Sequence, residues 1–284
     1  MQTPTRFVLG AATVSLFHIG MLHVRLAEWL SLDQSGWPAQ YDRLFDQPIG
    51  VPIQSVHIGL PGRSVLIDPC HPELLAYVGE AVAGVAAAPS LLAQFGTAGL
   101  DPLSVDTVVI THPHFDHYCG TIAFGASAEN DRLLFPNARH LLGRADWETL
   151  QAELMSNPAG PESRCLGLAQ RAGLLDPVDG LRQLGDGLQI VPTPGETVGH
   201  QALRLDSQGA VLYCAGDLYH HAVEVERPDW GVYWAEPVAT ARSREAITTA
   251  ALAERALLIA GHIAGVGRLE RVGLGLRWEA SATS

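Results

Sequence analysis

The apolar run Val108-Val109-Ile110-Thr111 passes directly into His112-Pro113-His114-Phe115-Asp116-His117. A short apolar stretch of this kind, over residues 106–111, predicts a buried strand, so the histidines arrive at the end of a rigid element. In an extended chain alternate side chains point the same way. His112 and His114 therefore face one side and can share a metal ion, with Pro113 stiffening the spacing between them. Asp116 and His117 follow where the chain must turn and can reach a second ion close by. Imidazole and carboxylate suit zinc, and also iron, manganese or cobalt. A lone histidine is usually a core or surface residue, but three histidines and an aspartate in one hexapeptide have no comparable structural explanation.

Three more donors occupy the same kind of position. His200 closes Thr193-Pro194-Gly195-Glu196-Thr197-Val198-Gly199-His200, behind the apolar run 188–193. Asp217 follows Val211-Leu212-Tyr213-Cys214-Ala215-Gly216, and His262 follows Leu257-Leu258-Ile259-Ala260-Gly261. Taken singly, a turn aspartate or a loop histidine is unremarkable. The repetition points to one centre, because donors carried on strand ends share the rigid scaffold that a metal site requires.

The rest of the chain mixes strands and helices without repeat, low-complexity tract or linker, which predicts one α/β domain over residues 1–284. Residues 7–18 are rich in β-compatible side chains, whereas 31–52, with Gly, Pro, Asp and Gln, read as a long surface excursion. Residues 53–59 and 64–68 flank Pro61-Gly62 as a hairpin. Residues 81–95 and 144–155 have helical composition, the second with Asp146 and Glu148 near its start, where the helix dipole favours anions. Residues 139–142, 188–193, 202–205, 210–215 and 257–260 read as brief strands, and 240–256 as an amphipathic helix.

With 47% hydrophobic and 17% charged residues, the chain can bury a substantial core. Its net charge is −12, and all 18 basic residues are arginine. No basic stripe is present to displace counterions, so a nucleic-acid partner is not expected; the acidity reads as solubility. Cys70, Cys119, Cys165 and Cys214 lack CxxC spacing, which argues for reduced thiols in a cytoplasmic protein rather than a disulfide framework. Residues 7–22 are fairly apolar behind Arg6, but Gly10 and His18 interrupt them and no small-x-small cleavage site follows, so a signal peptide is not expected. No uninterrupted apolar run reaches membrane-spanning length, and no membrane association is expected.

With these seven positions in view, the chain resembles the metallo-β-lactamase superfamily. The family's HxHxDH motif matches His112, His114, Asp116 and His117 without a departure, and its later single ligands match His200, Asp217 and His262 in order and setting. The resemblance covers nearly the whole chain. Val65-Leu66-Ile67-Asp68 is similar to the family's early strand ending in a supporting aspartate. The resemblance implies a four-layer αβ/βα sandwich, with two mixed sheets face to face, helices outside and metals at one sheet edge. It also implies two divalent ions, zinc foremost. His112, His114 and His200 would hold the first, Asp116, His117 and His262 the second, and Asp217 both. Hydrolysis would then use a hydroxide held between the ions, with Asp116 passing a proton to the leaving group. Two divalent ions against two carboxylates and one hydroxide leave the site slightly positive, which suits an oxyanion forming in the transition state.

The substrate class rests on less specific segments. Gly216-Asp217-Leu218-Tyr219-His220-His221, Pro228-Asp229-Trp230, Ala241-Arg242-Ser243-Arg244, Phe135-Pro136-Asn137-Ala138 and Trp147-Glu148 are similar to the branch holding methyl parathion hydrolase-like enzymes and acyl-homoserine lactonases. That branch implies lactones, aryl esters or neutral organophosphate triesters as substrates. Trp230, Tyr233 and Trp234 can wall an apolar pocket, with core packing as the equal alternative. Tyr219 or His220 can polarise a substrate carbonyl; the lactonases carry a tyrosine three residues past the bridging aspartate, where this chain has His220. Arg244 reads as a solvated helix arginine, with a supporting residue behind the site as the alternative. A glyoxalase II-like thioesterase or a β-lactamase fits less well, since lysine is absent and Asp217 stands where the best-known β-lactamases use cysteine. A mononuclear iron persulfide dioxygenase-like oxidoreductase is the alternative from another class, separable by metal count and identity. The expected partner is a small-molecule substrate, and a homodimer is left open.

Overall fold

Alternation along single strands explains the layering. In the segment Val65-Leu66-Ile67, Val65 and Ile67 face one apolar cluster and Leu66 faces another, all three buried. Strands covered on both faces read as continuous apolar runs, which is why the sequence shows so little period-two patterning. The computed structural model describes residues 4–32, 37–71 and 89–281.

Strands in chain order are β1 (Thr5–Leu9), β2 (Ala12–Val24), β3 (Ile49–Leu60), β4 (Arg63–Ile67), β5 (Thr107–Val109), β6 (Ile122–Ala123), β7 (Arg132–Leu133), β8 (Arg139–Gly143), β9 (Leu175–Val178), β10 (Arg182–Gly185), β11 (Leu188–Pro192), β12 (Gln201–Ser207), β13 (Ala210–Cys214), β14 (Leu257–Ile259), β15 (Gly267–Val272) and β16 (Gly275–Ala280). They form a seven-stranded sheet in the order β1-β2-β3-β4-β5-β8-β9, a second in the order β10 to β16, and a small β6–β7 ribbon. Strands β4, β5, β8 and β9 pair in parallel, as do β13 and β14. The inner cluster joins Val14, Ile58, Val65 and Val109 of the first sheet to Leu188, Ile190, Leu203, Leu212 and Ile259 of the second.

Helices cover the outer faces. Leu91–Ala98, Arg144–Ser156 and Pro161–Arg171 place Leu91, Phe95, Trp147, Cys165 and Leu166 against Leu66, Val108 and Ile110. Helix Pro237–Glu254 sets Ile247 and Ala251 against Val211, Tyr213 and Leu258 of the second sheet. The result is the four-layer αβ/βα sandwich. Among the described residues no helix is long and apolar enough to cross a membrane.

Several expectations change. The β-compatible residues 7–18 divide between β1 and β2, because the chain reverses at Gly10 (φ 58°), where an added Cβ would lie 2.1 Å from the Ser207 carbonyl oxygen. Residues 31–52 are not a plain surface excursion. Ala39–Tyr41 and Asp42–Phe45 are helical turns, and Phe45 is buried with Leu26 and Trp230 in an accessory apolar cluster; residues 33–36 lie outside the described part. The helix expected over 81–95 is seen as Leu91–Ala98, capped by the Ser90 hydroxyl, with 81–88 outside the described residues. Strands β9, β10, β15 and β16 and helix Pro161–Arg171 add to the expected elements.

Candidate metal centre

The donors collect where the two sheets meet. Asp68 follows β4, His112 follows β5, Asp217 follows β13 and His262 follows β14. All four strands are parallel-paired, and their carboxyl ends open on the crevice where α/β folds commonly bind ligands. His200 immediately precedes β12.

Each buried histidine is oriented from behind. His112 Nδ1 lies 3.1 Å from the Thr111 hydroxyl, and His117 Nδ1 lies 2.9 Å from Asp68 Oδ2. His200 Nδ1 meets the Thr193 carbonyl at 3.0 Å, and His262 Nδ1 meets the Pro52 carbonyl at 2.8 Å. Outer partners of this kind fix ring orientation at metal sites. The opposite Nε2 atoms of His112, His117 and His262 approach Asp217 Oδ2 at 3.7, 3.3 and 3.2 Å. His262 Nε2 is also 3.3 Å from Asp116 Oδ2. Among the described residues, His117 Nε2 and Asp217 Oδ1 are buried without a hydrogen-bond partner. Imidazole and carboxylate lone pairs left unused at the centre of a buried cluster fit a divalent cation.

Two groups of donor atoms emerge, each with its members within 4.8 Å of one another: His112, His114, Glu196 and Asp217, and Asp116, His117 and His262. His200 stands beside the first group, its ring 5.1 Å from that of His112, and its Nε2 accepts the Asp217 peptide N–H at 3.2 Å. The electrostatics are strongly coupled. Burial opposes the charged form of Asp217, yet His117 and His262 hold its carboxyl well below the usual range. Burial likewise opposes charge on His262, but Asp217 and Asp116 carry it up to about 10.

The sequence reading missed Glu196. Its carboxylate is buried, 3.2 Å from His114 Nδ1 and 3.6 Å from His220 Nε2, and accepts the Trp234 indole N–H at 2.5 Å. A lone glutamate in a Pro-Gly loop carries no sequence mark beyond its nearness to His200. Gly195 (φ 148°) lets that loop press against Thr240, and Asp146 anchors it by accepting the Thr197 hydroxyl and Gly199 N–H at 2.7 and 2.8 Å. Trp29 was also missed; its ring lies 5.9 Å from His220, 5.5 Å from Trp234 and 6.1 Å from His262.

The candidate substrate residues separate. His220 is buried at the centre, with Nε2 3.5 Å from Asp217 Oδ2. Trp234 lines the same space, 5.7 Å from the His220 ring. Tyr219 instead turns into the core, its hydroxyl 3.0 Å from Thr248. Trp230 packs with Tyr41 and Phe45 in the accessory cluster, and Tyr233 is exposed. Arg244 is not solvated: it is buried, donating to Glu224 at 2.5 Å and to the Leu218 and Trp230 carbonyls at 2.8 and 2.6 Å. Glu224 in turn accepts the His220 and His221 N–H groups, so this pair clamps the loop that carries Asp217 and His220.

Polar side chains also tie the sheets together beneath the centre. Gln54 donates to the Ala260 and Ile263 carbonyls, and Gln201 donates to the Ile110 carbonyl.

The family model described as "Metallo-beta-lactamase superfamily" matches residues 49–262. Among solved structures, the chain is similar to the hydrolase AbOPH in the beta lactamase superfamily, at 16% identity and a TM-score of 0.80, covering 100% of this chain and 99% of that one. It is similar to AidC, a dizinc quorum-quenching lactonase solved with a product, at 18% identity and a TM-score of 0.79, covering 99% and 98%. A probable metal-dependent hydrolase from Staphylococcus aureus gives 16% identity and a TM-score of 0.77, covering 98% and 99%.

Proposed function

Because the chain belongs to the metallo-beta-lactamase superfamily, we propose that it is a dinuclear metal-dependent hydrolase of lactones, aryl esters or related neutral electrophiles. The observation that carries this reading is the position of Asp217, whose Oδ2 lies 3.7 Å from His112 Nε2 and 3.2 Å from His262 Nε2. On this reading His112, His114 and His200 hold one ion, Asp116, His117 and His262 the other, and Asp217 both. Zinc is the expected metal, with iron, manganese and cobalt as alternatives.

Bound there, the ions supply Lewis acidity and a nucleophile drawn from water at neutral pH. The remaining work belongs to the chain's own residues. Asp68, Thr111, Thr193 and the Pro52 carbonyl keep the imidazoles turned inward. Asp116, more exposed than Asp217, is placed to pass a proton to the leaving oxygen. His220 faces the centre and is the group available to hydrogen-bond a substrate carbonyl oxygen. Trp29 and Trp234 wall the space beside it, exclude water and offer apolar surface to an acyl or aryl group. The names of AidC and AbOPH support a lactonase or related hydrolase.

Metal analysis of the purified protein, followed by a hydrolysis panel, tests the reading. The panel holds a long-chain acyl-homoserine lactone, an aryl ester, a phosphotriester, a glutathione thioester and a β-lactam. Two ions per chain with turnover of the lactone or ester is expected. A single iron with persulfide oxidation, or two ions with no hydrolysis of a neutral substrate, would overturn it.

A further inference from the structure

We propose that the Glu196 carboxylate is itself a ligand at the first metal position, and that it raises this position's affinity for manganese relative to zinc. The inference rests on the dinuclear reading above and extends its ligand set.

Geometry is the first support. Glu196 joins His112, His114 and Asp217 in a group whose donor atoms all lie within 4.8 Å of one another. Glu196 would thus add a carboxylate oxygen to the three imidazoles, His112, His114 and His200, that the dinuclear reading gives this position. Burial is the second support. The Glu196 side chain is 3% exposed, and its ion-pair partners among the described residues are the imidazoles of His114 and His220, with no arginine. A buried carboxylate faced by imidazoles rather than by a guanidinium can take a metal ion as its cation. Orientation is the third: the Trp234 N–H fixes Oε1, as outer hydrogen bonds fix metal-binding carboxylates. A third carboxylate beside Asp116 and Asp217 makes the centre richer in hard oxygen donors, which suit manganese better than imidazole does.

The rival role is anchoring alone, with Glu196 merely holding Trp234 and His220. The two roles differ in metal selectivity. Wild type, Glu196→Gln and Glu196→Asp are stripped of metal, checked for intact fold by circular dichroism, and titrated calorimetrically with Mn2+ and with Zn2+. Expected is a loss of about tenfold or more in Mn2+ affinity at one of two positions in Glu196→Gln, with a smaller loss for Zn2+ and partial recovery of Mn2+ affinity in Glu196→Asp. The Co2+-loaded variant should also show a changed visible spectrum as its ligand number falls. Equal losses for both metals with an unchanged Co2+ spectrum would overturn the ligand role and leave the dinuclear reading standing. Failure of wild type to bind two ions would overturn both.

Discussion

Asp68 Oδ2 lies 2.9 Å from His117 Nδ1, while the same carboxylate accepts the Thr111 peptide N–H and hydroxyl at 2.8 Å each. One buried side chain thus fixes both the ring of a candidate ligand and the peptide just before His112. Asp68→Asn should weaken the second metal position by about 10–100-fold and the first, which it reaches only through Thr111, by clearly less. Calorimetric metal titration checks this, and equal weakening of both positions would contradict it.

The clamp formed by Arg244 and Glu224 makes a stability prediction. Arg244→Leu leaves Glu224 buried without its guanidinium partner, which should cost about 3–5 kcal/mol in urea denaturation. Changing both residues to leucine should recover part of that loss, since the stranded charge is then removed.

For the proton-transfer role of Asp116, the informative variant is Asp116→Asn with both metals retained by elemental analysis. Turnover should fall by about 10²–10⁴-fold, with the smallest loss for substrates whose leaving group needs no proton. Near-normal rates on a poor leaving group would exclude the role.

Trp29 predicts a split between kinetic constants. Trp29→Ala should raise KM for long-chain lactones or aryl esters by about tenfold, equivalent to about 1.4 kcal/mol, while kcat on a short, compact ester stays close to wild type. Steady-state kinetics on the two substrates decides it.

A pH effect arises at a buried histidine that is not among the candidate ligands. Burial, opposed by a hydrogen bond to the Ala138 carbonyl and aided by Arg139, lowers His140 from 6.5 to about 4. The folded chain therefore binds this proton less readily than the unfolded chain. The stabilisation is complete above about pH 6.5 and is lost as pH falls toward about 4, by roughly 3 kcal/mol. Denaturation of His140→Leu should show a shallower decline across that window than wild type.

The hexapeptide from His112 to His117 was legible because its donors are contiguous and follow an apolar strand, and His200, Asp217 and His262 because they repeat that setting. Glu196 was not, because a single carboxylate acquires meaning only when the Gly195 turn brings it beside His114. Trp29 was hidden by distance along the chain. Arg244 was misread because its burial depends on Glu224 and two carbonyls from another segment, none of which helix periodicity reveals. The central strands of the sandwich were visible as apolar runs, whereas β15 and β16 carry exposed charges such as Arg268, Glu270 and Glu279 that dilute the pattern.

Gly180 lies between β9, the last strand of the first sheet, and β10, the first of the second. The segment before it brings His112, His114, Asp116 and His117; the segment after it brings His200, Asp217 and His262. On the proposed ligand set neither segment owns a complete centre. The proposed activity is therefore divisible in the manner of a two-part reporter: fragments separated at this turn would each be inert, and chemistry would return only when the two sheets reassembled in register.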